Sequence, residues 1–288
     1  MTTATQRSAA LGAPLAVGGG IFGAIYIVWW RDVIRYWRDR ARVGASLAQP
    51  LLYLVIFGTG LASSLGGGFG ASAGAAGVSY TQFIYPGVIS MSVLFTAIFG
   101  AMSIVWDREF GFMRELLVAP IDRAAIAVGK TLGGATQAMI QGLILLVFAP
   151  FVGVHLDPVV VLQLIALTFV LAFGLSAMGV ALASYMRSMQ GFQVVMNFLM
   201  MPMFFLSGAL FPLVGLPGWM TVLTRLNPAS YGIDPIRRVL LGSSGFPVER
   251  FAINIFDQTL PIALEAVIVL AFGAVMLGLA VRAFQRRD

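Results

Sequence analysis

The sequence predicts an all-α integral membrane protein: six transmembrane helices, an N-terminal amphipathic helix in the membrane interface, and short external helices between spans 5 and 6. Three observations carry this. Hydrophobic residues make up 59% of the 288 and charged residues 10%, where soluble proteins average roughly a quarter charged. Several apolar runs exceed about 18 residues, the length at which a bilayer-spanning helix is the default reading. Ionisable residues fall between the runs, as expected when a charge at mid-bilayer costs roughly 2.5–3.5 kcal/mol or more. The runs lie at about 43–61, 80–105, 131–152, 159–183, 194–214 and 259–281, within one transmembrane domain spanning 1–288. Glu265 is the one ionisable side chain inside them.

Ahead of span 1, residues 21–42 read IFGAIYIVWWRDVIRYWRDRAR. At about 100° per residue, Phe22, Ile25, Tyr26, Trp29, Val33, Tyr36 and Trp37 share a face, and Arg31, Arg35, Arg38, Asp39 and Arg42 lie opposite. That division describes a helix lying in the interface; as a span it would bury four or five arginines. The N-terminus lacks the basic, apolar and cleavage order of a signal peptide, so the expectation is that it stays in the mature chain. Between spans 1 and 2, residues 65–77 (LGGGFGASAGAAG) are uncharged and read as a flexible outer loop. With the N-terminus in the cytoplasm, 14 of the 18 lysines and arginines lie on the inner side, and only Arg225, Arg237, Arg238 and Arg250 outside. The positive-inside rule therefore places both termini in the cytoplasm.

Span 5 carries Asn197, Met196, Met200, Met201, Met203 and Pro202, and span 1 carries Gln49-Pro50. Methionines fill irregular gaps and line adaptable apolar surfaces, so span 5 reads either as ordinary packing with a proline kink or as the wall of a path. Gln137 and Gln141 share a face of span 3 and suit hydrogen bonds between helices. Between Pro212 and Gln258, LPGWMTVLTRL and IDPIRRVLLG read as short helices entered at prolines, lying on or dipping into the outer leaflet. Glu265, near the outer end of span 6, reads equally as a functional group and as one reaching the interface.

The densest charge is in WDREFGFMRELLVAPIDRAAIAVGKT (106–131). Its Gly129-Lys130-Thr131 ending resembles the tail of a phosphate loop, but Ala124 stands where the first glycine is required and no strand precedes it. Its four carboxylates (Asp107, Glu109, Glu115, Asp122) alternate with four basic residues, a pattern of ion pairs more than of a metal or acid–base site. EFGFMRELL suits an amphipathic helix with Phe110, Met113 and Leu117 on its apolar side, and Pro120 stops it. A short cytoplasmic helix joined to two spans suits force transmission from a soluble partner; a plain solvated loop is the alternative.

These residues resemble the characteristic segment of the permeases of type-2 ATP-binding cassette exporters, the drug-resistance and polysaccharide-export permease family. The matching positions are Arg108, Glu109, Gly111, Glu115, Leu116, Pro120, Arg123, Gly129 and Lys130. A second stretch after span 5 resembles the family's outer segment through Asn227, Pro228, Tyr231, Asp234, Arg237 and Arg238. The resemblance covers nearly the whole chain; the long glycine-alanine loop before span 2 departs from it. It implies a non-catalytic membrane subunit of an exporter in the cytoplasmic membrane of a prokaryote. A second permease subunit, in a homodimer, and two copies of a soluble ATPase complete the assembly. ATP and Mg belong to the ATPase; no cofactor is bound by this chain. Arg108, Glu109, Gly111, Arg114, Glu115, Pro120 and Arg123 would couple to the ATPase, and Gln49, Asn197, Met200 and Met201 would border the path.

Other classes fit less well. There are no cysteines, so disulfides and thiolate sites are excluded. The one histidine, His155, sits in a short turn without a metal partner. The net charge of +6 is distributed by membrane side, which gives no reason to expect nucleic acid. An ion-gradient-driven secondary transporter is the strongest rival, but such proteins usually place ionisable groups near the midplane. A lipid-modifying enzyme would need a nucleophile with its base at one depth, and none is visible. Drugs, lipids and lipid-linked glycans all fit as cargo.

Overall fold

Ten α-helices make up most of the described chain. In the computed structural model these residues are 20–61, 64, 78–110, 122–213, 215–246, 252–255 and 258–286. Helix α1 is Ile21–Arg38 and α2 is Arg40–Val55, continued by a π-helical turn, Ile56–Leu61. Next come α3 (Tyr80–Gly100), α4 (Met102–Glu109), α5 (Arg123–Leu146) and a 3₁₀ turn (Ala149–Val152). Then follow α6 (Pro158–Tyr185), α7 (Met189–Phe205), α8 (Gly218–Leu226), α9 (Pro228–Gly242) and α10 (Ile262–Arg286). A two-residue antiparallel pairing, Asn254–Ile255 with Gln258–Thr259, precedes α10.

Among the described residues, four segments are long and apolar enough to cross a membrane: Val43–Leu61, Tyr80–Glu109, Pro158–Tyr185 and Ile262–Gln285. The chain is thus an all-α, multi-pass membrane protein. Helix α5 has the length but is diluted by Lys130, Gln137 and Gln141, while α7 has the composition but only 17 residues. The run read as span 5 (194–214) is helical only to Phe205; Pro202 lies within that last turn, and Gly208 turns the chain with a φ of 77°. Helix α5 begins eight residues before the run read as span 3, with the Asp122 carboxylate accepting the Ala124 N–H as its cap.

Helices α3, α5 and α6 form the centre of the bundle. The Tyr85 hydroxyl donates to the Leu145 carbonyl at 2.7 Å, and Ser176 donates to the Thr131 carbonyl at 2.9 Å. In a membrane such interhelical bonds and close packing hold helices together, since lipid is as apolar as leucine. Helix α3 starts with a Ser79/Gln82 capping box. Helix α10 lies along α6, α1 lies on α5, and α2 packs against α3. The segment from α2 through its π turn and α10 are the least covered spans, and they leave Leu52, Val55, Ile56, Val267 and Val275 exposed. The glycine-alanine loop read at 65–77 lies outside the described residues.

Candidate functional site

Two ionic centres lie at opposite ends of the bundle. The first begins at Lys130, which is 3% exposed within α5. Its ammonium donates to Asp32 at 3.2 Å, to Asp107 at 3.3 Å and to the Ser103 hydroxyl at 2.9 Å. All three of its N–H bonds are therefore used, which is how a buried ammonium is tolerated. Arg31, half-exposed, stands 3.7 Å from both carboxylates. Gln137 donates to the Asp32 carbonyl at 3.0 Å. A Cβ on Gly129 would fall 2.8 Å from Val28 Cβ and 3.0 Å from the Ile25 carbonyl, so only glycine lets α1 approach this closely. The Gly129-Lys130 pair thus docks α1, and Lys130 is an interior anchor and not the plain span edge read from sequence.

This corrects the reading of α1. Its buried strip is Val28, Asp32 and Tyr36, facing α5. Tyr36 donates to Gln141 at 2.6 Å and Trp29 to the Thr136 hydroxyl at 3.0 Å. Phe22, Tyr26 and Trp37, assigned to the same apolar face, are left exposed together with Ile27 and Trp30. Pairing Asp32 with Lys130 sets the rotation of the helix, and that carboxylate was in neither face as read. An acidic residue four after Val28 and four before Tyr36 was the available signal.

Next to Asp107, Arg108 and Glu109 point at the junction of α6 and α7. Arg108 donates to the carbonyls of Met186 at 2.5 Å and Ser184 at 3.0 Å, at the C-terminus of α6. Glu109 accepts the Met189 N–H at 2.9 Å, at the first residue of α7. A cation on a helix C-terminus and an anion on an N-terminus both complement the helix dipoles. Arg123 donates to the carbonyls of Phe284 and Gln285 at the end of α10, at 3.4 and 3.3 Å. Of the residues read as coupling, Gly111, Arg114, Glu115 and Pro120 lie outside the described residues, as does most of the EFGFMRELL segment. The carboxylates read as surface pairs have other duties where described: Asp107 is buried on Lys130, Glu109 holds α7, and Asp122 caps α5.

The second centre is at the far end, where α9 inserts among α3, α6 and α10. Asn227 caps α9 by accepting the Ala229 N–H and also donates to the Met203 carbonyl at 2.7 Å. Pro228 opens the helix, and Tyr231 donates to the Arg225 carbonyl at 2.7 Å. The helix begins there and not at Pro235, which lies inside it. Arg237 is 1% exposed; it donates to the carbonyls of Gly208 and Ala209 and sits 4.4 Å from the centre of the Phe83 ring. Arg238 joins Asp234 at 3.1 Å and Glu265 at 2.7 Å. Glu265 is fully buried in this pair, so it does not reach out to the interface.

The residues read as pathway do not share one surface. Asn197 and Met201 are exposed on α7, whereas Met200 is 1% exposed and packs in the core with Met196. Successive positions on a helix face about 100° apart, so Met200 and Met201 cannot both line one wall. An apolar groove of about 620 Å³ runs between α6, α7, α8 and α10, lined by Phe198, Pro202, Met203, Leu226 and Met276 among others. Gln49 lines a separate cavity of about 400 Å³ between α2 and α3. Among the described residues no group of three or more His, Asp or Glu side chains is placed to hold a metal ion.

Comparison with known proteins adds an independent finding. The profile of the family described as ABC-2 type transporter matches residues 23–241. The "Putative transport permease ycf38" of Cyanophora paradoxa is 31% identical over 245 residues, covering 80% of this chain and 81% of its own length. "Inner membrane transport permease YadH" of Escherichia coli (strain K12) is 31% identical over 234 residues, 78% of this chain and 86% of its own. "Nodulation protein J" of Rhizobium leguminosarum bv. trifolii is 32% identical over 233 residues, 79% and 84% respectively.

Proposed function

The chain belongs to the ABC-2 type transporter family, and on that premise we propose that it is the transmembrane subunit of an exporter for a hydrophobic or amphipathic cargo. Two copies pair in the cytoplasmic membrane of a prokaryote and sit on two copies of a separate soluble ATPase, which holds the ATP and Mg. Both termini and the 106–130 stretch face the cytoplasm, as the basic residues suggest. The observation that carries the reading is the wiring of the charged end. Consecutive residues of α4 reach α5 and α1 (Asp107), the end of α6 (Arg108) and the start of α7 (Glu109). Displacement of the segment after Glu109 by a moving partner therefore acts on five helices at once. The exposed apolar sides of α2 and α7 suit a second copy, and the apolar groove and cavity suit the cargo class.

The test is reconstitution. Purified chain alone should show no ATP hydrolysis, and adding the cognate ATPase should give hydrolysis coupled to transport. Glu115→Arg should weaken partner binding or uncouple hydrolysis from transport while leaving expression intact. Hydrolysis by the chain alone, or transport driven by an ion gradient without ATP, would refute the proposal.

A further inference from the structure

The cavity between α2 and α3 lies at the charged end, beside Tyr36, and its volume of about 400 Å³ falls within the range of small-molecule sites. Its lining mixes the aromatic rings of Phe95 and Phe99 with the uncharged polar groups of Gln49, Ser92 and Thr96, and it contains no charged residue. Ser92 is the informative one. It is 3% exposed, and its hydroxyl has no hydrogen-bond partner. Serines elsewhere on these helices return their hydroxyl to their own backbone: Ser90 to the Pro86 carbonyl at 2.9 Å, and Ser46 to that of Val43 at 2.9 Å. A buried hydroxyl left bare is unfavourable, and Ser92 belongs to the lining of the cavity, so a polar group that enters there and reaches the hydroxyl would satisfy it. Gln49, which is exposed at the cavity wall, adds both a donor and an acceptor. The charged groups of the region, Asp32, Arg35 and Asp39, line a smaller adjoining pocket that shares Tyr36.

We propose that this cavity binds the uncharged, hydroxyl- or amide-bearing head of an amphipathic molecule, with its apolar part held against Phe95 and Phe99. A charged head would sit here without a counterion, which a low-dielectric site penalises heavily. Calling the cavity a cargo station rests on the exporter reading; binding itself does not.

The test uses three photoactivatable amphiphiles with one diazirine-bearing octyl chain and different heads: glucoside, trimethylammonium and sulfate. The full chain is labelled in nanodiscs with and without its ATPase, and cross-linked peptides are mapped. The glucoside should label residues 43–55 and 88–102 several-fold more than either charged probe. Ser92→Ala and Gln49→Leu should each lower that labelling about fivefold, the loss of one net hydrogen bond. Ser90→Ala, whose hydroxyl is already satisfied, should leave it unchanged. Equal labelling by all three heads, or labelling indifferent to Ser92→Ala, overturns the proposal. Head-selective labelling in a chain that shows no ATP-driven transport would uphold the site and refute the exporter reading instead.

Discussion

Replacing Lys130 with methionine keeps the stem and removes the ammonium between Asp32 and Asp107. Those carboxylates are 7% and 11% exposed, so the substitution leaves two like charges buried together. Breaking a buried pair by deleting one partner typically costs about 3–5 kcal/mol. Arg31, 3.7 Å from both and 46% exposed, offsets part of this, so the lower end, about 3 kcal/mol, applies. At roughly 2–4 °C per kcal/mol for a chain of this size, Tm should fall by about 6–12 °C. Thermal unfolding of the purified protein followed by tryptophan fluorescence is a suitable assay, because Trp29 is hydrogen-bonded to α5 and reports whether α1 stays docked. The double variant Lys130→Met/Asp32→Asn should recover about half of the loss, since it removes one of the stranded charges. A Tm within about 2 °C of the parent, or a double variant no more stable than the single, would refute the idea that this ion cluster fixes α1.

Three further outcomes follow from the contacts described. Glu109→Gln retains the oxygen that accepts the Met189 N–H but loses the charge at the α7 N-terminus and should lower Tm only slightly, whereas Glu109→Arg also loses a cap contribution of about 1 kcal/mol and opposes the helix dipole; equal Tm for the two variants would contradict the assignment. Gly87→Ala would drive a Cβ into the Ala209 carbonyl oxygen and should abolish stable expression, while Arg237→Met should lower stability by about 1–3 kcal/mol by stripping the Gly208 and Ala209 carbonyls of their donor; normal melting of the first would count against the close packing of the Ala209 turn on α3, and of the second against the inserted α9. Single cysteines at Ser72 and Ser243 should react with an impermeant thiol reagent in intact cells, and one at Gln285 only after permeabilisation; any other pattern overturns the proposed orientation.

The helical membrane class was readable because it depends on composition and on run length, which need no tertiary information. The acidic-basic stretch and the proline-bounded outer segment were also readable as local patterns. What sequence could not supply was pairing across distance. Asp32 stands next to Arg31 in the sequence with no local mark of its role, and its contact with Lys130 shows why α1 is rotated as it is. Glu265 had two open readings until Arg238 was placed beside it. Pro235 looked like a helix start because prolines favour first turns, yet Asn227 and Pro228 already provide a complete start seven residues earlier. Met200 and Met201 were grouped by composition and separated by geometry.

The Asp32–Lys130 contact also constrains the order of events on the ribosome. The two residues are 98 positions apart, and synthesis proceeds at about 5–20 residues per second. For roughly 5–20 seconds, then, α1 exists with its acid made and the matching base not yet delivered. During that interval it has no α5 to lie on, and its carboxylate has to stay hydrated. The aromatic residues that remain exposed after docking, Phe22, Tyr26, Trp30 and Trp37, suit the headgroup layer. They would hold the newborn helix at the correct depth and within reach until the third hydrophobic segment arrives carrying its lysine.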